Sequence, residues 1–394
     1  MPSRTGGGGV TADELPIGRR VARWRVRRQM TQQMLADRLR RSKSWVDKVE
    51  RGVRPLDRYS VIQELAQVLR IDPELLLDRH RPPVTAGPLD GVDDVRAALA
   101  RYDIPQAPVQ TVDELRGLVG HAWLSFQHAH YPQLVRVLPG LLDAVQGARC
   151  AELLVPAYRI TSSLLVKLGE ADLGWLAADR AMSVANGDPV RSATAAVAVG
   201  QALRALGRER LALAATLAAA ERLAVDRRRP PGEWAVRGTL LLQAALAAAG
   251  SGDGRRADEL TDRAAGIAAR LRGYDDAHRT GFGPVAVELA RVVAAVERGD
   301  AGAAVRRHPA IVRRAAWRLL PAECRGAYLV DVARAYLQLG DVRGAARALV
   351  DAESVAPAEV RCRPSARTVI AEVARAHPAP AGVARLAALV GLTR

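Results

Sequence analysis

Cysteine is scarce. Cys150, Cys324 and Cys362 are odd in number, far apart and never arranged as C-x-x-C, so neither a disulfide framework nor a cysteine zinc site is expected. Aromatic residues make up only 4% of the chain, while runs of alanine and leucine abound. Strands favour aromatic and β-branched side chains, so this shortage points to helices packed on helices. Long apolar runs are missing too. Arg237 and Gln243 interrupt the longest candidate, which stays short of the ~18 residues a membrane span needs. The opening stretch MPSRTGGGGVTADELP lacks the apolar core of a secretory signal, and a cytoplasmic location without a membrane partner is the expectation.

Catalytic signatures are also lacking. His121, His128 and His130 have no carboxylate or cysteine that completes a metal set. The glycines of Gly250-Ser251-Gly252-Asp253-Gly254 follow no strand and precede no G-K-[ST], so they read as a turn and not as a phosphate loop. No nucleophile elbow, paired catalytic acid motif or dinucleotide fingerprint occurs. Neither an enzyme nor a metal nor a cofactor is expected.

What the chain does have is length, charge and repetition. At 394 residues it exceeds one hydrophobic core, and two or more units are expected. The net charge is +16, and 55 of the 58 basic residues are arginine. Residues 1–81 carry 18 basic against 10 acidic side chains, so a fifth of the chain holds half of the excess. A general arginine bias explains part of this, but the clustering suits a phosphate-binding surface. The prolines and glycine between Arg79 and Pro88 mark a linker. The resulting division is a tail over 1–15, a first domain over 16–80, a linker over 81–90, and a helical region over 91–394.

The helical region repeats. Turn glycines Gly169, Gly207, Gly252, Gly299 and Gly340 lie 38, 45, 47 and 41 residues apart. Five residues after each comes a small side chain: Gly174, Ala212, Ala257, Ala304 or Ala345. Small residues recur twelve after (Ala181, Ala219, Ala264, Ala352, with Ile311 the exception) and seven before (Ser162, Gly200, Ala245, Ala333, with Val292 the exception). Two antiparallel helices approach to ~8 Å only where the contact residue is small, so this spacing predicts stacked helical hairpins. The pattern resembles the tetratricopeptide repeat, best in the last unit through Ala333, Tyr336, Gly340, Ala345, Ala352 and Pro357. The periods exceed that family's ~34 residues. An irregular alanine-rich bundle is the alternative. A further hairpin is predicted over Val112–Gln146 with Tyr131 after its turn, and Pro309 is expected to break the helix that contains it.

Residues 17–77 predict five short helices. Ile17, Val21 and Trp24 form one face of the first. Thr31 can cap a second with Leu35, Ala36 and Leu39 inward. Ser42 can cap a third from Lys43 to Arg51, buried through Val46 and Val49 and ended by a left-handed Gly52. A fourth runs from Asp57 to Leu69 and a fifth from Pro73 to Leu77. The stretch TQQMLADRLRRSKSWVDKVERGVRPLD is similar to the phage-repressor/Cro-type helix-turn-helix, the XRE family, with its T-Q-x-x-L-A and S-x-x-x-[IV]-x-x-[IV]-E-x-G pattern. In place of that family's turn glycine and following apolar residue stand Arg40 and Arg41, which costs turn stability.

The resemblance implies an all-α chain: a five-helix helix-turn-helix DNA-binding domain followed by a tetratricopeptide-like α-solenoid, a transcriptional regulator of the actinobacterial type. It implies that Gln32 contacts a phosphate at a helix start. Lys43, Ser44, Asp47 and Lys48 would meet base edges in the major groove, and Arg54 and Arg58 would contact phosphates. Lys43 and Asp47 are also spaced to pair with each other. Short recognition helices read few bases, so a homodimer on double-stranded DNA with half-sites ~34 Å apart is expected. By the repeat register Arg159, Ser163, Gln201, Arg204 and Arg334 face the concave wall of the array, where they suit an acidic peptide or small anionic ligand or are simply solvated. The competing reading is a repeat-based protein-interaction scaffold whose helix-turn-helix does not read DNA.

Overall fold

Helix ends in the N-terminal unit fall where the sequence supplies caps. Thr31 accepts a hydrogen bond from the Met34 amide at 3.1 Å, and Ser42 accepts one from the Trp45 amide at 3.1 Å. The computed structural model describes residues 17–54, 56, 59–69, 76, 91–101, 110–185, 187–223, 230–271, 276, 278–376 and 382–392. The chain divides into two units, residues 1–85 and 86–394. The expected tail and linker lie outside the described residues, as do Arg58 and all of the expected fifth helix except Leu76.

The first unit contains α1 (Ile17–Arg27), α2 (Gln32–Arg38), α3 (Lys43–Glu50) and α4 (Tyr59–Leu69). Val21, Leu35, Ala36, Val46, Leu65 and Leu69 are all at most 1% exposed and form its core. Each is an inward position of the helical period. α1 crosses α3 at Gly18, where a methyl group would stand 2.0 Å from the carbonyl oxygen of Val49. Any larger residue would force the two helices apart.

The second unit begins with α5 (Val92–Ala100), and then the helices come in pairs. These are α6 (Val112–Gln127) with α7 (Tyr131–Ala148), α8 (Ala151–Leu168) with α9 (Ala171–Val184), and α10 (Pro189–Ala205) with α11 (Glu209–Arg222). They continue with α12 (Pro231–Gly250) and α13 (Gly254–Ala268), α14 (Pro284–Glu297) and α15 (Ala301–Val312), and α16 (Ala322–Gln338) and α17 (Val342–Val355). Three shorter helices follow, α18 (Pro357–Arg361), α19 (Pro364–Ala374) and α20 (Val383–Leu389). No strand occurs among the described residues. The fold is all-α, a helix-turn-helix unit followed by an array of helical hairpins.

The five turn glycines all take φ between 68° and 88°, a conformation that costs other residues energy. At three turns an aspartate follows and caps the next helix: Asp253, Asp300 and Asp341 accept from amides three residues on, at 2.7–3.0 Å. The small residues of the register are buried at the crossings. Ala212, Ala257, Ala304 and Ala345 are 0% exposed, and a methyl at Gly200 would stand 2.3 Å from Thr216. Pro309 does not break its helix. α15 runs through it to Val312, because the lost hydrogen bond lies one turn from the end and Ile311 buries its side chain beyond it.

The last helices pack back on the first hairpins of the same unit. Ala356 and Ala358 join the core built by α5 to α9. At the centre is Glu359, 0% exposed. It accepts from the Tyr131 hydroxyl, from Lys167 Nζ at 2.5 Å and from Arg363 Nη1 at 3.4 Å. Lys167 also pairs with Glu323 at 3.0 Å. A charged cluster thus ties α7 and α8 to α16 and α18 across about half the chain.

Candidate nucleic-acid interface

The turn between α2 and α3 closes on arginine where glycine is the easier residue. Arg40 has φ 52°. Its amide bonds the Asp37 carbonyl at 3.2 Å, and the Arg41 amide bonds the Ala36 carbonyl at 2.9 Å. This pair of bonds is the Schellman pattern, which satisfies the last carbonyls of a helix. A side chain in the left-handed region costs about 1–2 kcal/mol. Arg40→Gly is therefore expected to stabilise the first unit by about 1 kcal/mol, after allowing for glycine's greater unfolded-state entropy. Hydrogen exchange of the α2 and α3 amides in the full chain should slow. Unchanged or faster exchange would mean that Arg40 is not strained.

The exit of α3 is fixed by its last residue. Glu50 is 5% exposed, and Arg25 grips it with Nε at 2.6 Å and Nη2 at 3.0 Å. Arg25 spends its remaining nitrogen on the Met30 carbonyl at 2.7 Å, and Gln32 Nε2 donates to Glu50 at 2.8 Å. One carboxylate thereby joins α1, the start of α2 and the end of α3. Bidentate arginine–carboxylate pairs of this kind fix orientation as well as energy.

With α3 so held, its outer face is set. Lys43, Ser44 and Lys48 are exposed, outside the stripe buried through Val46 and Val49. Asp47 is half-buried and pairs with Arg51 at 3.4 Å; the Lys43–Asp47 pair that the spacing allowed is not the one formed. Arg54 is exposed, and its amide returns to the Lys48 carbonyl at 3.0 Å. Gln32 turns its amide nitrogen inward to Glu50, so its role in the first unit is at least partly structural. Trp45 is half-buried, with the Arg41 guanidinium 5.7 Å from its ring. From Arg38 to Arg54 there are seven basic and two acidic residues, and both acids are paired with arginine. Arg40 and Arg41 belong to this charged face, a contribution that reading them as a turn defect had missed.

The five positions expected on the array's inner wall come together only in part. Ser163 on α8 bonds Gln201 on α10 at 3.4 Å, and Arg204 on α10 bonds Gln243 on α12 at 3.4 Å. The first helices of successive hairpins therefore do stand side by side. The arginines are not open cations, however. Arg204 lies 3.8 Å from Glu209, and Arg334 pairs with Glu297 at 3.2 Å and Asp331 at 3.3 Å. Arg159 is 7% exposed, neither solvated nor on an open wall. Apolar packing around long side chains encloses such groups in ways that register alone does not reveal.

Comparison with known proteins agrees with the N-terminal geometry. Residues 16–78 match the family described as helix-turn-helix domain. No curated protein matches the chain. Among solved structures, Bacillus thuringiensis PlcR in complex with the peptide PapR7 and DNA aligns at 10% identity with a TM-score of 0.37, covering 86% of this chain and 94% of that chain. Among the described residues no helix is long and apolar enough to cross a membrane.

Proposed function

We propose that the chain is a sequence-specific, cytoplasmic DNA-binding transcriptional regulator of the XRE type. It acts as a homodimer, and a ligand held by the hairpin array controls it. The observation that carries the reading is the capped, Glu50-anchored α3, which presents Lys43, Ser44 and Lys48 beside the exposed Arg40, Arg41 and Arg54. The lysines meet base edges in the major groove, and Arg54, with Arg58 beyond it, holds the phosphate backbone. The 16–78 family match supports the same reading. The Arg40–Arg41 turn, where the chain departs from the family pattern, closes with both Schellman hydrogen bonds, and a formed turn favours this reading over the scaffold alternative.

Titration of a selected duplex and its single-base variants tests the roles. Lys43→Ala or Lys48→Ala should weaken the best site by about 1–3 kcal/mol and relax the preference at one or two base pairs. Arg54→Ala should weaken all duplexes alike and reduce the salt dependence. If the lysine and arginine variants behave identically across the set, these roles are wrong.

A further inference from the structure

Donors outnumber acceptors where α6, α8 and the segment before α14 meet. Arg159 on α8 is buried, and no carboxylate lies within ion-pair distance of it among the described residues. Both of its terminal nitrogens donate to a single neutral acceptor, the carbonyl of His278, at 3.2 Å each. Its guanidinium stands 5.2 Å from the Trp123 ring. The indole N–H of Trp123, itself 5% exposed, is buried with no acceptor. A second guanidinium approaches along α6: Arg279 Nη2 lies 3.8 Å from where a Gly120 methyl would be, one turn before Trp123.

Among the described residues of this segment the acid is Asp276, and it is already engaged. Asp276 accepts from the Thr280 amide at 2.8 Å, the Thr280 hydroxyl at 3.0 Å and the Gly281 amide at 2.8 Å. Those bonds shape the backbone that presents His278 and holds Arg279 at φ 52°. Phe282 anchors the same segment, filling the space over Gly238 so closely that a methyl there would overlap the ring at 2.1 Å. Burial lowers the Arg159 pKa to about 10, with Asp276 opposing, so the guanidinium stays charged at neutral pH. A carbonyl dipole and an aromatic face offset only part of the cost of burying that charge.

We propose that Arg159, Arg279 and the Trp123 indole form a binding site for a carboxylate, whose oxygens take the two Arg159 N–H groups now shared by the His278 carbonyl. The inference deepens the reading of the array as a ligand-holding module and rests on it. A carboxylate fits better than a phosphate dianion. The planar fork of Arg159 suits two coplanar oxygens. The indole beside it favours an acid with an apolar body, either a small organic acid or the terminus of a peptide.

Calorimetry on the full chain tests the site with sodium benzoate, sodium octanoate and an N-acetyl-leucine peptide acid, against benzamide, the peptide amide and sodium phosphate. At least one acid should bind and its amide should not. Arg159→Gln should weaken binding about 100-fold and Arg279→Gln about 10-fold, the loss of charged hydrogen bonds, with Arg204→Gln unchanged. Arg279 is only half-buried, so its variant remains informative if Arg159→Gln fails to fold by circular dichroism. Binding by none of the acids, equal binding of acid and amide, preference for phosphate, or full binding by the Arg279 variant would each overturn the site. Duplex affinity measured in the same samples separates the two readings. An acid that binds without altering it supports the site and removes ligand control. An acid that alters it equally in wild type and both arginine variants supports control and removes the site.

Discussion

Glu50→Ala is expected to cost the first unit about 3 kcal/mol, because it strands the largely buried Arg25 guanidinium and frees Gln32. A unit of some sixty residues has only roughly 3–9 kcal/mol to lose. The measurable outcome is rapid hydrogen exchange throughout α1 to α4 in the full chain, with the hairpin array unaffected, and loss of binding to every duplex. Glu50→Gln, which keeps an acceptor but no charge, should fall between. Protection of α3 in the alanine variant equal to wild type would show that the Arg25–Glu50–Gln32 cluster is not what holds the recognition helix.

Glu359→Ala should be the most damaging change in the second unit. It removes the acceptor shared by Lys167, Arg363 and Tyr131 and leaves two half-buried cations without it, Lys167 keeping only Glu323, at a cost of about 3 kcal/mol. Exchange should rise together in α7, α8 and α18, which are distant in sequence and joined at this point, while α12 and α13 stay protected. A rise confined to α18 would mean the cluster is local and does not tie the array's ends. The pH dependence follows from the same groups. Burial alone would raise the Glu359 pKa, but Lys167 and Arg363 outweigh it and hold the carboxyl below its ordinary range. Its contribution is therefore complete above that range and is lost as the pH falls through the depressed value. Burial opposes the charge of Lys167 as well, yet Glu323 and Glu359 raise its pKa overall, so its contribution is lost only at strongly basic pH. The tie holds across the neutral range.

Local grammar was legible in the residues. Thr31 and Ser42 as caps, Gly52 as a left-handed terminator and the five turn glycines all act through neighbours within a few positions. So do the small residues of the repeat register, which is why spacing alone placed the hairpins. The Asp that follows three of those glycines was equally readable and had been passed over. What spacing does not contain is which distant groups meet. Arg159 has the composition of a solvent-facing residue and is enclosed because the segment around His278 folds back onto α8. Glu359 is one acid among many until α18 lies against α7 and α8. Pro309 shows the converse limit: a local rule was applied to a helix whose end lay only one turn further on.

The central claim is that α3 reads sequence, and selection from a randomised duplex library tests it most directly. Wild-type protein and a Lys43→Ala/Lys48→Ala variant would be taken through the same rounds at fixed salt. The account predicts that the wild type enriches one motif with two related half-sites about one helical turn apart. The variant should retain backbone affinity but lose the preference at one or two positions in each half-site. Flat recovery by the wild type, or the same motif recovered with the same strength by the variant, would contradict it.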